Sequence, residues 1–327
     1  MPVSRRLAMT GAAALVAATP ALAQEAAQRL RSIVRLRCTV PADSRTAASL
    51  GRQRQGSGVL IDQSGLVLTI GYLMVEADGA EVTLADGRTL PAQVVGYDHE
   101  TGFGLLRTIE PPRMPAAPLG RSATLSEHAP VMIAAHEGGG GARPGFVLSR
   151  RPFAGSWEYL VEEAIFTAPA HPEWSGAGLF DAEGRLVGIG SLMVGDANGK
   201  GAGIPGNMFV PIDLLPPILG DMIAEGAPSG PRRPWLGLAA EELRGRLFVT
   251  RVTPGGPAER AGIEAGDVVL GVGGQPVRDL ADFYRKLWAS GDAGSEVALL
   301  LLDGTSSRRV NVRSVDRHSQ LRLKRSF

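Results

Sequence analysis

Several things are scarce in this 327-residue chain. It has one cysteine, Cys38, so no disulfide can close within it. Cys38 sits in the alternating run from Ile33 to Val40, which reads as a strand with a buried, inert thiol. Charge of one sign is also lacking: 34 basic against 33 acidic residues leave a net charge of +1. That balance gives no reason to expect nucleic acid as a partner. No His, Cys and Asp cluster has metal-ligand spacing, so neither a metal nor a cofactor is expected. The glycine run Gly138 to Gly141 lacks a following Lys-Ser/Thr, and the stretch Gly195 to Lys200 has the wrong spacing, so neither is a phosphate loop. Beyond the first 23 residues no apolar run is long enough to span a membrane.

Those first 23 residues read as a signal peptide. Arg5 and Arg6 precede a short apolar stretch, and Ala21-Leu22-Ala23 is a small-x-small cleavage site before Gln24. The mature chain is therefore expected in a periplasm. Glycine and proline, by contrast, are plentiful at 43 and 23 residues, enough to punctuate many short strands. Gly56 to Asp62 and Gly65 to Thr69 form a hairpin pattern, and further strand and turn units follow through Arg107. Leu214 to Ala224 reads as a helix with Leu215, Ile218, Leu219, Met222 and Ile223 on one face. Pro216 and Pro217 fit only its first turn. Ala227 to Pro234 is a proline-rich hinge. The composition predicts a mostly β protein; strand counting alone does not separate barrel from sandwich.

Particular motifs go further. Gly56-Ser57-Gly58-Val59, Leu68-Thr69, Asp86-Gly87-Arg88, Asp98, Thr101, Leu105-Leu106 and, around the serine, Ser175, Gly176 and Leu179 resemble the HtrA family of periplasmic trypsin-like proteases, whereas Trp174 and Ala177 depart from its pattern. Met208 to Ile212 resembles the segment closing that family's second barrel. Trp235-Leu236-Gly237-Leu238 and the run from Pro257 to Val269 resemble its PDZ domain. The resemblance implies a trypsin-like double β-barrel over residues 24–228, a linker at 229–234 and a PDZ domain at 235–316. Residues 317–327 read as a basic, solvated tail.

The resemblance also assigns chemistry, and here the chain departs from the pattern. Ser175 has the nucleophile's place, but Tyr72 stands where the family has its general-base histidine, and Gly102 where it has the orienting aspartate. Glu173 replaces a glycine whose amide helps form the oxyanion hole. A phenol with an ordinary pKa of about 10 is a poor proton acceptor near pH 7. Glycine carries no carboxylate to orient a partner. The other histidines, His99, His128, His136 and His318, read as ordinary loop residues. His171 is the best substitute base, yet it shares the loop of Ser175.

In the second domain, amides of Leu236, Gly237 and Leu238 are placed to converge on a terminal carboxylate. Asp279 caps a helix carrying Leu280, Phe283, Tyr284, Leu287 and Trp288 at helical spacing, with Phe283 the candidate lining for a peptide's last side chain. The resulting reading is an exported HtrA-like pseudoprotease binding peptide C-termini or misfolded periplasmic chains. Two alternatives stand beside it: an active serine endoprotease with a non-standard triad, and a regulatory subunit associated with an active homologue. Family members often form trimers through an aromatic-bearing N-terminal segment, and Gln24 to Val40 contains no aromatic residue, which leaves homo-oligomerisation open.

Overall fold

The structure is a computed structural model that describes residues 30–136, 141–201 and 203–322. The segment 1–23 expected to be a signal peptide, glycines 138–140 and residues 323–327 lie outside them.

Six strands form the first barrel: β1 (Ile33–Thr39), β2 (Gln53–Leu60), β3 (Leu66–Ile70), β4 (Gly79–Thr83), β5 (Thr89–Tyr97) and β6 (Phe103–Thr108). Their order is β1-β2-β3-β6-β5-β4, and β1 pairs back to β4 to close it. Alternation explains the closure. In β1, Val34, Leu36 and Cys38 point into the core while Arg35 and Arg37 point out. Burial pushes the Cys38 thiol up to about 12, with nearby Arg54 opposing, which keeps it a protonated and unreactive core residue. The expected hairpin is present, with Val59 opposite Leu68 and Leu60 opposite Val67.

The second barrel contains β7 (Pro130–Ala135), β8 (Gly141–Gly155), β9 (Tyr159–Ala168), β10 (Gly178–Phe180), β11 (Leu186–Val194) and β12 (Gly206–Pro211), in the order β10-β11-β12-β9-β8-β7. At 15 and 10 residues, β8 and β9 form the longest pair of this barrel, joined by the tip Ser156-Trp157-Glu158. A helix, Pro216–Glu225, follows with its prolines in the first turn and Gly226 in the left-handed region (φ 76°) ending it. Leu215 and Met222 are buried as the periodicity predicts, but Ile223 is 40% exposed.

Five strands and one short pair build the last domain: β13 (Leu238–Leu243), β14 (Arg246–Val252), β15 (Val268–Val272), β16 (Gln275–Pro276), β17 (Glu296–Asp303) and β18 (Ser306–Arg313). The sheet order is β13-β14-β15-β17-β18, with β16 on β15. The helix Leu280–Trp288 covers it, capped by the Asp279 carboxylate, which accepts from Asp282 N at 2.7 Å. Phe283, Tyr284 and Leu287 fill the core beneath.

Where the basic tail is described, over residues 317–322, it folds back onto the body instead of forming the expected solvated end. Arg317 is half-buried at the seam between the domains: its guanidinium donates to Trp157 O at 2.7 Å and to His99 Nε2 at 2.6 Å. Further on, Leu321 packs against the first barrel's core and Arg322 N donates to the Glu76 carboxylate at 2.9 Å. Nη1 of the guanidinium thus reaches one carbonyl and one imidazole nitrogen, so positive charge here serves an internal contact.

Candidate functional site

Ser175 lies in the loop between β9 and β10, held from both barrels. Ser57 N, on β2, donates to Ser175 O at 2.8 Å; Gly176 N donates to Gly190 O, on β11, at 2.9 Å. Gly176 has a φ of 73°, and a Cβ there would come within 1.9 Å of the Ser57 carbonyl oxygen. Only glycine lets the loop approach this closely.

Tyr72 does meet Ser175. It sits on a single turn after β3, Gly71–Leu73, which the buried Arg54 guanidinium fixes by donating to Tyr72 O and Val75 O at 2.9 Å each. The phenol oxygen lies 2.8 Å from Ser175 Oγ and 2.8 Å from the Ser191 carbonyl oxygen. A carbonyl only accepts and a phenol has one proton. Both contacts are therefore fully satisfied when Tyr72 donates to Ser191 O and accepts from the Ser175 hydroxyl. Burial pushes the phenol up to about 12, against the hydrogen bonding with Ser175. The serine thus faces a neutral hydroxyl.

Gly102 is close by, its carbonyl accepting from Gly71 N at 2.7 Å. Its φ is 83°, and a Cβ would stand 3.0 Å from the Tyr159 hydroxyl. Tyr159 is buried and donates to Thr101 O at 2.7 Å. The side of the site where an orienting carboxylate belongs is therefore filled by a second phenol, which burial holds far above its ordinary pKa. The spacing of the sequence carried no sign of Tyr159, which arrives from 57 positions further along.

Both ring nitrogens of His171 are engaged by backbone groups. Its ring is buried, with Nε2 3.0 Å from Gly141 O and Nδ1 3.0 Å from Glu173 N. Because the carbonyl only accepts and the amide only donates, the ring is the neutral Nε2–H tautomer with both nitrogens used. The Glu173 amide, a candidate oxyanion donor, is thereby turned inward onto an imidazole nitrogen. His99 is equally occupied, accepting from Arg317; burial, then Arg317, drive its pKa well below the ordinary range. His136 gives its backbone N–H to Ser57 Oγ at 3.0 Å, His128 is exposed, and His318 Nε2 lies 3.2 Å from Tyr97 O. Among the described residues no group of three or more His, Cys, Asp or Glu could hold a metal ion.

The amides of Leu236, Gly237 and Leu238 do converge on a carboxylate, but it belongs to the chain itself. Glu158 Oε2 accepts from Leu236 N at 3.0 Å; Oε1 accepts from Gly237 N at 2.7 Å and Leu238 N at 3.0 Å. Phe283, expected to line an open pocket, is fully buried in an apolar cluster that also takes in Leu160 of β9. Burial pushes Glu158 up to about 7, with the amides and Arg317 pulling the other way.

This geometry is that of a trypsin-like domain joined to a PDZ domain. Residues 56–189 match the family model of the trypsin-like peptidase domain and residues 248–302 that of the PDZ domain. Together these matches make the chain similar to HtrA/DegP-type trypsin-like serine proteases that carry a PDZ domain. It is 34% identical over 250 residues to HhoA of Synechocystis sp., covering 71% of this chain and 63% of that protein. It is 28% identical over 275 residues to a DegP-like periplasmic serine endoprotease of Halomonas elongata, covering 80% and 56%. The chain thus spans little more than half of the latter relative. Among solved structures, the HtrA-type protease AlgW with tripeptide matches with a TM-score of 0.54 at 24% identity over 90% of this chain and 96% of that one, a likeness of fold. No helix among the described residues is long and apolar enough to cross a membrane.

Proposed function

We propose that the chain is an exported, periplasmic HtrA-type pseudoprotease that binds peptide C-termini or misfolded chains through Leu236, Gly237 and Leu238 without hydrolysing them. One observation carries this reading: the Ser175 hydroxyl is bonded to the Tyr72 phenol, itself placed to donate to a carbonyl. That chain of hydroxyls offers the serine no base. Losing triad members costs on the order of 10⁴ to 10⁶ in rate, non-additively. The captured Glu173 amide supports the same reading, since an oxyanion needs free donors. Its partners on this reading are polypeptide C-termini, a second copy of the chain, or an active homologue.

The test is digestion of casein by the pure mature chain beside its Ser175→Ala variant. Both are expected at background. Hydrolysis by the wild type that disappears in Ser175→Ala would overturn the proposal in favour of an active endoprotease, the activity for which the relatives are named.

A further inference from the structure

The PDZ loop's occupation by Glu158 carries the peptide-binding reading further, and the inference rests on that reading. We propose that the hairpin tip Ser156-Trp157-Glu158 is the PDZ domain's resident ligand, and that a peptide with a free carboxylate and an aliphatic last residue binds only by displacing it.

Four contacts reproduce what a bound C-terminus requires. The Glu158 carboxylate takes all three loop amides, as a terminal carboxylate would. Ala240 N, on β13, donates to Ser156 O at 3.0 Å, so the hairpin also makes a backbone bond to the strand on which a peptide would add. The apolar cluster of Leu236, Leu238, Phe283 and Leu287 takes in Leu160, in the role of a ligand's last side chain. Tyr284, on the covering helix, fixes the tip from the other side: its hydroxyl donates to Gly155 O at 2.7 Å and accepts from Glu158 N at 3.0 Å.

The backbone of Glu158 adds an independent sign. Its φ of 57° lies in the left-handed region, unusual for a residue with a side chain. That torsion turns the chain into β9 immediately after the residue. The side-chain carboxylate then stands where a chain end would, although the polypeptide continues. Nonspecific packing of one domain on another needs no such conformation and no three-amide match. The arrangement also commits a buried charge, with Arg317 beside it on Trp157 O. Such a charge is retained only where its donors are in place.

Both the resident and the incoming ligand need the same three amides, so their occupancies are exclusive. The test titrates the full mature chain with a short peptide ending in leucine, as free acid and as amide, by isothermal calorimetry. Glu158→Ala is expected to bind the acid at least about tenfold more tightly than the wild type, with Glu158→Gln in between, because an amide oxygen is the weaker acceptor. The amidated peptide is expected to lose binding in every variant. Equal affinity of wild type and Glu158→Ala for the acid would sink the resident-ligand idea and leave the peptide-binding reading standing. No binding of the acid by any variant overturns both. Circular dichroism checks folding; should Glu158→Ala fail to fold, the shape-conserving Glu158→Gln decides, and an unchanged affinity there counts against the proposal.

Discussion

Two loops of this molecule direct backbone amides at an acceptor that the chain itself supplies. At Ser175 the plug is local: His171, two residues before Glu173, takes its amide with a ring nitrogen. At Leu236 the plug comes from another domain, a carboxylate 78 positions away in sequence. The difference lies in what it takes to empty each. Freeing the Glu173 amide means rearranging a buried imidazole tied to Gly141 and a loop clamped between barrels. Freeing the Leu236 loop means moving one hairpin tip as a unit. The first is a closed site by construction; the second is closed by a contact that can open.

The largest expected effect tests how rigidly each loop is held. Gly176→Ala drives a Cβ into the Ser57 carbonyl oxygen, a backbone atom with nowhere to go. Gly237→Ala, at a similar φ of 79°, meets the Trp235 ring at 3.0 Å and Thr253 Cβ at 3.3 Å, side chains that can shift by a few tenths of an ångström. Denaturant unfolding should show Gly176→Ala losing more than about 3 kcal/mol and Gly237→Ala about 1–2 kcal/mol. Equal losses would remove the contrast.

The next effect concerns restoration of the first loop. Gly102→Asp puts a side chain at a φ of 83° against the Tyr159 hydroxyl. It should cost about 2 kcal/mol or more on its own. In a Tyr159→Phe background the added cost should shrink, because the nearest clashing atom is gone. A double-mutant cycle on thermal unfolding reads the coupling, and additive losses would show that Tyr159 does not guard that place.

Taken per pH unit, the smallest effect belongs to the second loop. Burial holds Glu158 up to about 7 in the closed form, whereas a released, solvated carboxyl has the ordinary value of 4.5. Between those values the closed form binds more protons. Closure is therefore weakened as pH rises from 4.5 to about 7 and constant above, by at most about 1.4 kcal/mol per pH unit. Affinity for a free-acid peptide should rise over that window in the wild type and stay flat in Glu158→Ala. A fall with rising pH would place the hydrogen bonds, not burial, in control of the carboxyl.

Much of this molecule was legible in its residues. The Ser175 run, the Gly56-Ser57-Gly58 strand, the capped helix at Asp279 and the loop at Leu236 each carry a short local pattern, and all stand where that pattern put them. The replacements Tyr72 and Gly102 were legible as departures from a spacing. What filled the space they left was not. Tyr159, Glu158 and Arg317 act through contacts across tens to hundreds of positions, for which no periodicity exists, and the bond from the Glu173 amide to His171 closes within a loop that has none. A glutamate at a hairpin tip reads as solvated, and an arginine in a basic tail reads the same way. Only the packed structure distinguishes them from surface charge.

The returning tail has a consequence for competition at the PDZ loop. Trp235 and Val315 exchange backbone bonds where the domain begins and ends, and Arg322 is fastened to Glu76 of the first barrel. The domain is therefore tethered at two ends rather than hung from one linker. A ligand offered across so short a tether acts at an effective concentration of order millimolar or above. An incoming chain end competes not with an empty loop but with that local excess of Glu158. On the proposed peptide-binding reading, weak, abundant termini would be screened out, and only a terminus whose intrinsic affinity exceeds the hairpin's by that factor would register.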